Sequence, residues 1–455
     1  MFTADAMLRA LRENPRAGSA TLCTLLKGIS RATLARGLKL LGPQVVSRGA
    51  ARRARYALRR ALRGRETSLP LYRIDENGRG REVGHLDLTY PEGSALSFAV
   101  PFAWPLAGNM RDGWFDGLPY PLVDIRPQGF LGRNFAHRHA LDLAVSDNPE
   151  EWSDDDIAFV LATLGHDQPG DLILGETSYR HFLENRRKGD ERFLTDAQIE
   201  SAYPKWAEAA LAHGVAGPSA GGEFPKFTAS RALGGVRVEV IVKFSGADDS
   251  AAVQRWADLL VCEHLALETL RSQLEVPAAQ SAIRSYAGRT FLEVVRFDRH
   301  GEFGRSAVCT LGSLNAALVG SAGAAWPRVA QSLCEAGWLP VEDASRIALV
   351  WWFGRLIGNT DMHEGNLAFR PGLALAPAYD MLPMVYAPLR GGELPGNRYA
   401  PALPLPEEAG VWRQAAPAAL GYWRTCAEDV RISHGFRQIC EENAKVLAVA
   451  WKNFA

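Results

Sequence analysis

The chain has 455 residues, 47% of them hydrophobic and 22% charged, which excludes a disordered or fibrous chain and implies more than one domain. No window approaches eighteen uninterrupted apolar residues, and the N-terminal twenty residues lack a charged stretch followed by an apolar core, so neither a membrane span nor a signal peptide is expected. The net charge is zero, yet residues 1–65 hold fifteen Lys and Arg against Asp5 and Glu13 while the remainder carries the compensating −13. Such a one-signed block points to a polyanion partner. Six scattered cysteines without a CxxC pair read as reduced, mostly buried thiols of a cytoplasmic protein.

The basic block is patterned for helices. Residues 3–14 place Met7, Leu8 and Leu11 on one face, Ser19 or Thr21 can cap a second helix carrying Leu22, Leu25 and Leu26, and Ser30 caps a third. The third helix turns Leu34, Leu38 and Leu41 inward and leaves Arg31, Arg36 and Lys39 outward. Two short strands around a Gly-Ala turn follow, bearing Arg48, Arg52, Arg53 and Arg55. This order predicts a winged helix-turn-helix over residues 1–67. Its last helix would read the major groove of double-stranded DNA and its wing would touch phosphates.

From Leu69 the texture becomes hairpin-rich around Asn77-Gly78. Residues 101–133, rich in Pro, Gly and aromatics, read as a packed irregular segment. Ser153 and the three aspartates after it read as a helix cap rather than a metal site. Residues 236–244 predict a strand, 251–272 a helix, and 290–297 another strand. Beyond residue 310 the chain reads as mostly helical, through 341–358 and 437–453. The expected architecture is α+β and two-lobed, with a β-rich lobe over 68–300 and a helical lobe over 301–455.

The chemistry gathers after helix ALVWWFGRLIG. Asp361 stands five residues before Asn366, and Asp380 lies fourteen beyond, across a hairpin turning at Pro371-Gly372. Phosphoryl transfer needs a carboxylate to take the hydroxyl proton and hard oxygens to hold magnesium on a triphosphate, and kinases use this spacing. Upstream, GVAGPSAGGEFPKF at 214–227 offers a glycine-rich loop for phosphates. Lys243 interrupts an apolar strand, where it would need a carboxylate, with Glu263 the first choice and Glu268 the reserve. An edge-strand lysine facing water is the alternative.

Together, PSAGGEFPK, VIVKF, VRFDR, GNTDMHEGN and AYD make most of residues 68–450 resemble the HipA-like serine/threonine kinase toxins of type II toxin–antitoxin systems, in the branch with a fused N-terminal winged module. The resemblance implies ATP and Mg2+ as cofactors, with Asp361 catalytic. It implies a phosphate loop of Gly221, Gly222, Glu223, Phe224, Pro225 and Lys226, an ATP-contacting Lys243, and hinge contacts by Val295, Arg296 and Phe297. His363, Glu364, Gly365, Asn366 and Tyr379 would complete the nucleotide site, with Asn366 and Asp380 on the metal and Ser219 autophosphorylated. A protein substrate such as an aminoacyl-tRNA synthetase or another translation factor, an antitoxin, and no membrane are implied as well. The loop departs from the family in its Gly222-Glu223-Phe224-Pro225 stretch. Other readings of the same residues are a small-molecule phosphotransferase, a DNA-binding regulator with an inert kinase fold, and a metal-dependent nuclease.

Overall fold

The structure, a computed structural model, describes residues 3–65, 68–189, 192–212, 224–396 and 398–454. It is an α+β protein of two compact units, one formed by residues 1–75, 79–126 and 151–188, the other by 76–78, 127–150 and 189–455. No helix among the described residues is long and apolar enough to cross a membrane.

The first unit begins with helices Ala4–Glu13, Ser19–Leu25 and Arg31–Leu41. Thr3 and Ser30 cap the first and third by accepting from Ala6 and Thr33 main-chain N–H groups. The second starts after Gly18 with no side-chain cap, so neither Ser19 nor Thr21 has the expected role. Met7, Leu11, Leu22, Leu26, Leu34 and Leu41 form a small core. Leu25, expected inside, is 46% exposed, while Leu22 on the helix and Leu26 just past its end fill the core. Val45–Arg48 and Arg55–Leu58 pair antiparallel, and Ala17–Gly18 extends the sheet on the far side of the second strand.

This basic module is bound into the rest of its unit. Val46 and Ala57 share an apolar cluster with Ala95 and Trp114 of the neighbouring five-stranded sheet. Charge reinforces the seam. Asp87, 3% exposed, takes both Arg48 at 2.5 Å and Arg59 at 3.0 Å. Arg16 pairs with Asp116, Arg53 with Asp112, Arg60 with Asp155 and Arg63 with Asp156. Ser153 caps helix Asp154–Leu164 as expected, in a reciprocal capping box with Asp156, and two of that first turn's acids also serve these arginines.

The second unit is built on a sheet ordered Ser281–Tyr286, Arg289–Val295, Val236–Phe244, Lys226–Leu233, Phe193–Leu194. Tyr203 of helix Asp196–Ala212 packs on Phe227, Phe244 and Phe291 of this sheet. Helix Ala251–Gln273 also packs against the sheet, burying thirteen of its residues. A small sheet of Cys309–Thr310, Ala368–Arg370 and Ala374–Leu375 carries the hairpin expected at Pro371-Gly372, with Gly372 at a φ of 80°. Helices Trp326–Glu335, Val341–Leu356, Ala409–Glu428 and His434–Phe454 complete the unit.

Candidate active site

Lys243 lies on the central strand of the sheet, between the strands that begin at Lys226 and Arg289, and is 5% exposed. A buried ammonium needs acceptors. Glu263, fully buried on helix Ala251–Gln273, supplies both oxygens at 2.7 and 2.8 Å, and Asp380 takes a third bond. Glu268 instead pairs with Arg271 near the surface. The expected lysine–glutamate pair therefore exists, and the water-facing edge lysine does not.

Charge in this triad is shared unevenly. Burial works against the Lys243 ammonium, but Asp380 and Glu263 more than offset it, and its pKa lies above the ordinary value. Burial likewise opposes the Asp380 carboxylate, yet Lys243 and Lys226 hold its pKa below the ordinary value. Glu263 is pushed up, by burial and by the neighbouring Asp380, against the pull of Lys243. Asp380 itself has a φ of 52°, in the left-handed region that costs a non-glycine residue energy and recurs at functional sites.

The loop after helix Val341–Leu356 is fixed by its own polar groups. Asn366 donates its side-chain amide to the Asp361 carbonyl at 2.8 Å, and the His363 ring accepts from Gly365 N–H at 3.1 Å. Trp326 donates to the His363 carbonyl and Tyr379 to the Gly365 carbonyl. Glu364 accepts from Asn315 at 2.6 Å, so its carboxylate serves the loop's support. One residue that the sequence did not single out ties the two halves of the site together. Asn359, 7% exposed, accepts from Asp361 N–H at 3.0 Å and donates to the Asp380 carbonyl at 3.3 Å.

Part of this constellation faces a cavity of about 310 Å³. Lys226, Lys243, Asp361, Asn366, Tyr379 and Asp380 line it, with Phe224, His363 and Gly365. Val295, Arg296 and Phe297 are not among its lining residues. Arg296 is held by Asp298 at 2.8 and 3.0 Å, and Phe297 packs on Tyr379 at 5.8 Å. Ser219, Gly221, Gly222 and Glu223 lie outside the described residues. Sequence reasoning also missed the wall formed by Gln128, Gly129, Phe130 and Leu131, at the start of helix Gly129–Leu143. Its signal was the Pro- and Gly-rich aromatic segment that ends there.

The residues expected to contact DNA divide into two groups. Arg31, Arg36 and Lys39 stand exposed on the third helix, and Arg52 on the turn between the strands. Arg48 and Arg53 face carboxylates of their own unit, and Arg55 donates to the Arg16 carbonyl at 3.4 Å.

A strand lysine clasped by a helix glutamate, above a loop carrying an aspartate and an asparagine five apart, defines a kinase-like site. Comparison with known proteins gives the family. Residues 218–451 match the family described as HipA-like C-terminal domain, and residues 65–183 match YjjJ-like toxin, middle domain. The chain belongs to the HipA-like toxin family and is an enzyme of its serine/threonine protein kinase class. It is 36% identical to Toxin YjjJ of Escherichia coli (strain K12) over 418 residues, 91% of each chain. Its fold is similar to that of HipA from Shewanella oneidensis MR-1, solved with HipB and operator DNA. The TM-score is 0.51 at 15% identity, over 85% of this chain and 97% of that one.

Proposed function

We propose that the chain is an ATP- and magnesium-dependent protein serine/threonine kinase that phosphorylates itself on Ser219 and binds double-stranded DNA through a winged helix-turn-helix over residues 1–67. In this reading 68–300 form a β-rich lobe with the phosphate loop and 301–455 a helical lobe with the catalytic loop. The observation that carries it is Lys243, held between Glu263 and Asp380 in the cavity that Asp361 and Asn366 also line.

The donor set fits magnesium. Asn366 spends its NH2 on the Asp361 carbonyl, which turns its Oδ1 into the atom left for a cation. Asp380, 31% exposed at its side chain, adds a carboxylate. Two hard oxygens match an ion that keeps its remaining positions for phosphates and water. Bound there, magnesium would neutralise charge developing on the transferred group. Lys243 and Lys226 would hold phosphate oxygens. Asp361, fixed through its own N–H and carbonyl, would accept the proton of the attacking hydroxyl as that oxygen bonds to the terminal phosphorus of ATP and ADP leaves.

A phosphate on Ser219, within the stretch read as the phosphate loop, would add nearly two negative charges that compete with the triphosphate, so autophosphorylation would switch the enzyme off. The HipA structure with HipB and operator DNA supports an antitoxin and DNA as partners here, and an aminoacyl-tRNA synthetase or other translation factor remains the proposed substrate.

Incubating the full chain with magnesium and γ-labelled ATP, with and without plasmid DNA, tests this reading. Labelled Ser219 in the native chain, none in Asp361→Asn, and no nicking of the plasmid are expected. Label that persists in Asp361→Asn, or nicking without ATP, overturns it.

A further inference from the structure

A second groove, of about 330 Å³, adjoins the active-site cavity, and Leu131 and Lys226 line both. Helix Gly129–Leu143 contributes Leu131 and, two turns on along the same face, Arg138. Trp206 comes from helix Asp196–Ala212, and Phe227 follows Lys226 on the strand. Arg192 is also part of the lining.

The groove is cationic with an aromatic floor. Among its described lining residues there are two arginines and a lysine and no carboxylate. Arg138 is exposed and, among the described residues, spends only its Nε, on the Asn134 carbonyl at 3.2 Å. Arg192 is partly satisfied by Thr228 at 3.2 Å and by Glu239 at 3.4 Å, so Arg138 is the stronger attractor. Trp206 meets Phe227 edge-on at 5.7 Å and keeps part of its surface open. An open tryptophan flanked by arginine is the composition that concentrates binding energy at protein interfaces.

We propose that this groove receives an acidic segment of the protein substrate, a specificity site that rests on the kinase reading above. Carboxylates of the segment meet Arg138 and Arg192, an apolar side chain covers Trp206 and Phe227, and the chain continues past Lys226 and Leu131 so that a hydroxyl enters the cavity beside Asp361. A nucleic-acid strand fits the groove less well. Single-strand sites align cations along a backbone and stack successive bases on several rings, and here one half-open tryptophan stands among three cations.

The test uses the full chain and two fluorescein-labelled serine peptides, one flanked by glutamates and one by lysines, read by anisotropy and by phosphoryl transfer. The acidic peptide is expected to bind roughly tenfold tighter, and Arg138→Glu to lose about tenfold of that affinity. Trp206→Ala should weaken both the binding of the acidic peptide and its phosphorylation, with ATP affinity unchanged in both variants. Arg138 is exposed, so its variant reports on binding without a folding penalty. Equal affinity for the two peptides, no change in either variant, or displacement of the peptide by a single-stranded oligonucleotide overturns the proposal. The kinase reading fails separately, by an acidic peptide that binds as expected and is never phosphorylated.

Discussion

Lys226 and Lys243 stand directly opposite each other across the antiparallel pair of central strands. Directly opposed like charges destabilise a sheet, and Asp380 and Glu263 are the groups whose charges both lysines feel. Removing one of those carboxylates should release the repulsion. Asp380→Ala is expected to cost about 2 kcal/mol in urea unfolding, and adding Lys226→Gln should recover part of the loss. If the two changes are simply additive, the lysines are not coupled through Asp380.

The same carboxylate sets an acid limit. Asp380 titrates below its ordinary value in the folded chain, so it contributes stability above the unfolded-state pKa of about 3.9, and that contribution is lost as pH falls through the lower folded value. Between pH 5 and pH 3 the native chain should therefore lose more stability than Asp380→Asn does. Chemical denaturation at several pH values decides the point, and parallel curves would remove Asp380 from the account.

Asn359 holds both ends of the site through one amide, so its loss should loosen the placement of Asp361 and Asp380 together. Asn359→Ala is expected to lower kcat roughly a hundredfold, since displacements near 1 Å cost about that much. The KM for peptide should change little. Asn359→Asp keeps the acceptor for Asp361 N–H and should recover more activity than Asn359→Ala does. Equal losses in the two variants would reduce Asn359 to a structural residue.

In the proposed DNA-binding module, pairing should separate the arginines that matter for stability from those that matter for duplex affinity. Asp87→Ala strands Arg48 and Arg59, whose side chains are 18% and 14% exposed, and should destabilise the first unit by about 3 kcal/mol. Arg31→Ala and Arg36→Ala should weaken duplex binding and flatten its salt dependence with little effect on stability. A loss of duplex affinity in Arg48→Ala as large as in Arg31→Ala would reverse this division.

Local signals were readable where the chemistry is local. A lysine inside VIVKF announced its need for a carboxylate, the glycine of the 371–372 turn announced the hairpin, and Ser153 with Asp156 announced a cap. Asn359 carried no such signal, because an asparagine in a loop looks the same whether or not its amide bridges residues two and twenty-one positions away. The cavity wall at Gln128–Leu131 was hidden for the same reason. It meets Lys226 only through tertiary packing across nearly a hundred residues. The arginines of the basic block were read as one set, since their division depends on acids at 87, 112, 116, 155 and 156 that lie beyond the block.

Asp87 and the small apolar cluster of Val46, Ala57, Ala95 and Trp114 also determine where the polypeptide can be cut. Starting translation just upstream of the five-stranded sheet would uncover Trp114 and Ala95 and strip Asp87 of both its arginines. Simple truncation of the basic module is therefore expected to destabilise the unit that contains this sheet.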